Sequence, residues 1–417
     1  MNKACDLALE GGGVKGLGLI GAAYALENIG YRFRYLAGSS AGALVAALLA
    51  SGFTAAEVKE VFVEIDYKQF EEKDCLDYFG TPGKLLSLGR SLGIYSANHF
   101  ESFVNGLLKE KGISTFGDLN NQFKSDFPLK DRRPVNTETR TETVSKVSSS
   151  ATRTDTDTQQ NRTALKTTPP KIAHSTAIIP DNSASAAKAV RSTGIIPGDT
   201  AIPMPAFPHM KASFINNPAR LRVTASDITD MKLLTLPDDL ACFGIDPEKF
   251  SVATAVRISG GLPFFFEPYK LKDTSGRVHL LVDGGLISNY PIWILDDEKS
   301  RLDVPVFGLK FPKHALEPCL SHCKHNDRVT LFEYMKSVVS TLLDAHDEAY
   351  SYRTEGDDER AITIPTVITV DGERRRVGTA DLGIKPHERI AMFENGVRAA
   401  VRFLKTWSFE KWLSRYR

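Results

Sequence analysis

The sequence predicts an α/β fold interrupted by an insertion. Three observations predict it. Short apolar runs alternate with stretches of helical periodicity from the start to about residue 125. The same alternation resumes near Phe214 and continues towards the C terminus. Between Pro128 and Ala206 there is no Phe, Tyr, Trp or Cys, and Thr, Ser, Ala, Pro and charged residues dominate. Such a stretch cannot bury enough apolar surface to offset the entropy of ordering it, so it is expected to be disordered. The expected organisation is the N-terminal half of one domain over 1–127, an insertion over 128–206, and the C-terminal half over 207–417. The insertion reads either as a tolerated surface segment or as a tether for regulation or a partner of unknown kind.

The elements follow in order. Asp6 to Leu9 is a strand, and Gly11-Gly12-Gly13 turns the chain into a small-residue helix over Leu17 to Ile29. Tyr35-Leu36-Ala37 is a second strand, which stops at Gly38-Ser39-Ser40-Ala41-Gly42, and Ala43 to Ala50 continues as a helix. Thr54 caps another helix, with Glu57 at capping-box spacing, and Asn98 to Lys109 is amphipathic. Past the insertion, Leu221 to Ala225 is a strand ending at Ser226-Asp227, and Phe250 to Ser259 is a helix. Val278 to Val282 is a strand ending in Asp283-Gly284-Gly285, and Val304 to Lys310 is a buried strand. Thr330 to Arg353 and Arg389 to Lys405 are long helices.

Composition narrows the function. The 417 residues are 42% apolar, with 52 Lys and Arg against 51 Asp and Glu, a formal charge of +1. A polyanion binder is usually more basic, so nucleic acid is not an expected partner. Five scattered cysteines make no disulfide framework and fit a reducing compartment. The start carries no signal-type apolar region, and no run of about 18 apolar residues occurs. The expectation is a cytoplasmic protein; contact with a membrane surface and secretion without an N-terminal signal are both compatible with it.

Two sheet-end loops carry the chemistry. Gly38-Ser39-Ser40-Ala41-Gly42 matches G-x-S-x-G between an apolar strand and a small-residue helix. Gly38 and Gly42 permit a close backbone approach, and Ser40 would be lifted from the sheet as a nucleophile at a helix N-terminus. Gly11-Gly12-Gly13-Val14-Lys15-Gly16 satisfies G-x-G-x-x-G, which would suit a dinucleotide. The second strand, however, ends in Gly38-Ser39-Ser40, without the carboxylate that holds a ribose. Oxyanion donation by the N–H groups of Gly11, Gly12 and Gly13 fits better. A base is then needed. None of the nine histidines sits directly at a strand end with turn residues after it, whereas Asp283, followed by Gly284 and Gly285, does. A Ser40–Asp283 dyad is suggested, against the reading that Asp283 merely starts a turn.

Together these segments resemble the patatin-like phospholipase family. The likeness spans Glu10 to Gly16, Gly38 to Gly42 and Asp283-Gly284-Gly285, and extends to Asn289, Pro291, Thr224 to Asp227 and Ala255 to Ser259. It implies a three-layer fold with a central mostly parallel sheet flanked by helices, and a lipid acyl hydrolase of phospholipase A or lysophospholipase type. Ser40 would be the nucleophile, Asp283 the base, Gly11, Gly12 and Gly13 the oxyanion donors, and Lys15 the residue at the family's Arg or Lys position. Ser40 and Asp283 lie 243 residues apart, or about 160 without the insertion, an ordinary separation for the family. Gly260-Gly261 stands where the family often has Ala. Such chemistry needs no metal and no cofactor. A dinucleotide-binding oxidoreductase and a non-catalytic lipid-binding scaffold are the alternatives.

Three further features invite a role. Phe264-Phe265-Phe266 would line an acyl channel or pack the core. Cys319, His322, Cys323 and His325 cluster within seven residues, as a metal site or as a polar loop with reduced thiols. The tail interleaves Trp407, Trp412, Leu413 and Tyr416 with Lys405, Lys411, Arg415 and Arg417. It would lie in the interface of a membrane or micellar lipid substrate, or dock on its own domain.

Overall fold

Seven residues from Lys3 to Leu9 form strand β1, and Tyr31–Gly38 form β2, paired in parallel. The structure, a computed structural model, describes residues 3–65, 92–127, 219–296, 303–312, 355–379, 381 and 383–417, with 334, 335, 338 and 341. The insertion, the cysteine–histidine cluster and, but for four helical positions, the helix expected over 330–353 lie outside the described residues.

Helices α1 (Gly16–Asn28), α2 (Ala41–Ala50) and α3 (Ala55–Glu64) follow the first two strands, and α3 carries the expected Thr54–Glu57 capping box. Next come β3 (Gly93–Tyr95), α4 (Asn98–Glu110) and α5 (Phe116–Asp126). After the insertion are β4 (Leu221–Asp227), β5 (Lys232–Leu236), α6 (Val252–Ser259), β6 (Phe264–Phe266), β7 (Tyr269–Lys272) and β8 (Val278–Asp283). The last part holds β9 (Val306–Lys310), β10 (Ala361–Thr363), the hairpin β11 (Val367–Val370) and β12 (Glu373–Arg376), then α7 (Pro386–Leu404) and α8 (Phe409–Tyr416).

The main sheet runs β10-β9-β1-β2-β4-β8-β7, with β5 also on β4. Its first five strands are parallel; β5, β7 and β8 are antiparallel to their neighbours. Alternation puts the sheet between two apolar layers. Leu7, Leu9 and Leu36 join a cluster with α1, α2, α6 and α7, while Ala8, Tyr35 and Ala37 join another with Phe123 and Trp412. This is the expected mostly parallel sheet flanked by helices.

One register positions the site. Val223 pairs with Gly38 of β2 and with Leu236 of β5, so those strands hold opposite edges of β4. β5 keeps its edge as far as Asp227, and Ala225 pairs with both Leu234 and Asp283. β8 therefore shares an edge of β4 with β2 and meets it end to end from the opposite direction. Gly38 is level with Val223 and Asp283 with Ala225. The residues just past Gly38 thus arrive where β8 ends.

The C-terminal tail docks on its own domain. Trp412 is 3% exposed, donates from Nε1 to the Gly356 carbonyl at 2.8 Å and lies under the Arg360 and Arg417 guanidinium groups. Trp407 stacks on Phe403 and meets Phe307 of the sheet. Of the two readings of the tail, docking on its own domain describes Trp412: a helix at an interface must turn its tryptophans outward, and here Trp412 faces the core.

Candidate active site

Ser40 sits on a strained turn. After β2 stops at Gly38, Ser40 adopts φ 51° and ψ −123°, a conformation a residue with a β-carbon rarely takes. The α2 helix starts at the next residue, so the Ser40 hydroxyl stands at a helix N-terminus, where negative charge is favoured. The elbow lies tight against the end of β1. A β-carbon on Gly42 would come within 2.4 Å of the Leu9 carbonyl oxygen, so only glycine fits there. Ser39 N–H donates to that same Leu9 carbonyl at 3.2 Å, and Ser40 N–H donates to Ser259 Oγ at 3.0 Å.

Asp283, the last residue of β8, faces Ser40. Ser40 Oγ donates to Asp283 Oδ2 at 2.7 Å, and Gly285 N–H donates to Oδ1 at 2.8 Å. Asp283 N–H donates to the Gly261 carbonyl at 2.9 Å, and Gly284 packs on Thr224. The carboxyl is 1% exposed, and among the described residues no Lys, Arg or His pairs with it. Burial pushes its pKa up to about 7, against the lowering effect of the bonds from Ser40 and Gly285. A carboxyl with that pKa can take a proton and return it near neutrality.

The glycine loop lies alongside, with one correction. Gly11 N–H donates to the Asn289 carbonyl at 2.9 Å, so it is committed and is no donor to an oxyanion. A β-carbon on Gly11 would sit 3.0 Å from Ser40 Cβ, which places the loop directly beside the serine. The N–H groups of Gly12 and Gly13 bond to no other described residue. Gly13 holds φ +53°, and Val14 N–H donates to the Thr379 carbonyl that crowds it. Lys15 is buried with its Nζ 4.8 Å over the Phe311 ring, and Gly16 opens α1. The dinucleotide reading fails here. The space left by the missing side chains of Gly11, Gly12 and Gly13 is filled by Asn289, Phe311 and Thr379, not left open for a pyrophosphate.

Three supporting residues had no role assigned from sequence. Asn289 Nδ2 donates to the Gly11 carbonyl at 3.2 Å and to Glu10 Oε1 at 3.4 Å, so Asn289 clamps Gly11 through both its backbone and its side chain. Glu10 in turn accepts the Phe311 N–H, and Ser259 holds the elbow amide. A carboxylate immediately before three glycines was the available signal for Glu10. The three phenylalanines form β6 on β3, with Phe264 turned outward and Phe265 4.9 Å from Tyr95. Phe266 packs against the core while Phe264 is exposed, so the run is not wholly core.

The sequence model of the patatin-like phospholipase family matches residues 7–296, which hold the glycine loop, the elbow and Asp283. The chain belongs to the patatin-like phospholipase family. As a member of that family it is a lipid acyl hydrolase in the general sense. Uncharacterized protein YqhO of Bacillus subtilis (strain 168) is 30% identical over 409 residues, 97% of this chain and 99% of its own length. Among solved structures, VipD from Legionella pneumophila aligns over 97% of this chain and 67% of its own, with 16% identity and a TM-score of 0.42. ExoU, a type III effector of Pseudomonas aeruginosa, aligns over 97% of this chain and 53% of its own, with 14% identity and a TM-score of 0.38. Beyond the matched span of this patatin-like chain, β9 pairs with β1, and Phe311 and Thr379 brace the glycine loop.

Proposed function

We propose that the chain cleaves fatty-acyl esters of lipids, of phospholipase A or lysophospholipase type, through an acyl-enzyme on Ser40 with Asp283 as the base. The observation that carries this reading is the 2.7 Å hydrogen bond from Ser40 Oγ to a buried carboxylate that no cation among the described residues neutralises. Asp283 takes the hydroxyl proton as Ser40 Oγ bonds to the ester carbonyl carbon. The N–H groups of Gly12 and Gly13 and the α2 N-terminus receive the negative oxygen, while Gly11, clamped by Asn289, sets their position. The proton on Asp283 passes to the leaving alkoxide, which departs as lysolipid or glycerol. A water then gives its proton to Asp283 and attacks the acyl carbon. Ser40 leaves with that proton and the fatty acid is released. No step calls on a metal or a nucleotide.

A lipid-class hydrolysis panel tests the reading, run on wild type, Ser40→Ala and Asp283→Asn beside labelling by a fluorophosphonate. The expected result is turnover of at least one acyl ester, lost in both variants, with the label on Ser40 alone. Label on Ser39, or turnover that survives Ser40→Ala, would overturn it.

A further inference from the structure

Among the described residues no helix is long and apolar enough to cross a membrane, and Trp412 of the aromatic, basic tail is folded inward. The sheet supplies another surface. β8 leaves the level of Ser40 and Asp283 and runs out past the C-terminal edge of the parallel strands. Its first residue, Val278, lies five steps beyond Asp283, roughly 16 Å at strand spacing. The β4–β5 turn reaches out beside it: Ile228 N–H donates to the Leu280 carbonyl at 3.0 Å, and Arg277 bonds Asp230 at 2.7 Å. His279 Nδ1, 2.8 Å from Asp227 Oδ2, ties the two hairpins at their base. The β4–β5 and β7–β8 hairpins thus form one braced projection on the edge that carries the dyad.

The tip of that projection is apolar where a soluble turn would be polar. Met231 is 87% exposed, Ile228 42% and Val278 40%. Met231 also holds φ 52°, a left-handed conformation that favours glycine or asparagine, so the fold bears strain to present an exposed methionine. Lys232, Lys270, Lys272 and Arg277 surround these side chains, and Lys272 is the cross-strand partner of Val278. Facing them are Asp230, already paired with both Lys232 and Arg277, and Asp273, bound to Ser275 and Arg277 amides. With the buried Asp227 beside His279 included, four cations stand against three carboxylates, an excess of one positive charge around an apolar tip.

We propose that this double hairpin docks the enzyme on an anionic phospholipid surface. Met231, Ile228 and Val278 enter the head-group region, and the surrounding Lys and Arg meet lipid phosphates. The proposal rests on the lipid-hydrolase reading for its purpose, but the binding is separable from turnover. Binding is measured with full-length Ser40→Ala protein on vesicles of equal parts phosphatidylglycerol and phosphatidylcholine. Met231→Asn removes the apolar group and suits the left-handed backbone, so its melting temperature is expected to hold or rise. Its partitioning should fall about tenfold, the loss expected from one partly buried apolar side chain. Lys272→Glu should weaken binding to the anionic vesicles and leave binding to pure phosphatidylcholine unchanged. In the Ser40 background, Met231→Asn should hydrolyse a short monomeric ester at the wild-type rate. Unchanged vesicle binding in Met231→Asn would overturn the proposal. So would absence of binding by the parent protein, or a sedimentation shift from dimer to monomer in the variant, which would make the tip a contact between copies. Vesicle binding without turnover of any ester would instead defeat the hydrolase reading and leave the docking surface standing.

Discussion

Asp6 and Asp283 are both buried carboxylates on strands of one sheet, and they are kept in opposite ways. Asp6, inside β1, receives the Arg34 guanidinium through two bonds of 2.9 and 3.0 Å, and Tyr35 N–H at 3.2 Å. Asp303 completes the arrangement on the far side of Arg34, whose pKa is raised by these carboxylates against the lowering effect of burial. Among the described residues, Asp283 receives one hydroxyl and one amide, and no cation. A buried charge with a matched partner is a structural joint; removing either side leaves the other stranded. A buried carboxyl without one has its pKa pushed to about 7 and costs stability whenever it is ionised. Such a cost at one sheet end, opposite a strained serine, supports the proposal that Asp283 is retained for its proton chemistry.

The largest expected effect separates the two on activity. Ser40→Ala and Asp283→Asn should each lower turnover by about 10⁴-fold or more, and the double variant should be little worse, because the pair acts as a unit. Arg34→Met should leave turnover per folded molecule nearly unchanged. It should cost about 3–5 kcal/mol of stability in denaturant unfolding, since it strands Asp6. If Arg34→Met were neutral in stability, the contrast would lose its structural half.

Next in size is a stability change of opposite sign. The Asp283 carboxyl has a pKa above its unfolded value, so the neutral form stabilises the fold below about pH 4, and that contribution is lost as pH rises through about 7. Asp283→Asn should therefore match wild type near pH 4 and exceed it at pH 8, by about 4 kcal/mol at most. Equal stabilities at both pH values would break the comparison. The smallest effect sharpens it. Asn289→Ala, which frees the Gly11 carbonyl but leaves the dyad intact, should lower kcat about tenfold with KM little changed. A melting-temperature drop with kcat intact would make Asn289 a structural residue only.

Much of this was legible in sequence where local chemistry decides the outcome. The elbow around Ser40 and the strand ends at Gly38 and Asp283 are written in turn residues and apolar runs that need no distant partner. What sequence could not supply depended on pairing. An apolar run does not reveal strand direction, so the antiparallel course of β8, which brings Asp283 onto the β2 edge of β4, could not be read from Val278 to Val282. Gly11 looked equivalent to Gly12 and Gly13, because the Asn289 carbonyl that occupies its N–H lies 278 residues away. The tail stayed open between two readings for a related reason. Aromatic and basic residues at helical spacing suit a lipid interface, but Trp412 finds Gly356 and the Arg360 guanidinium first.

The central claim is that Asp283, held at a pKa near 7 by burial without a counter-charge, is the base for Ser40. The pH dependence of Ser40 phosphonylation by a soluble fluorophosphonate tests it most directly, because reaction stops at the serine and no lipid surface intervenes. The rate in wild type should climb with pH, reach half its plateau near 7, and level off above, since only ionised Asp283 can take the proton. In Asp283→Asn that limb should vanish along with most of the rate. A wild-type rate that is flat from about pH 5 to 9, or a limb that survives unchanged in Asp283→Asn, would contradict the account.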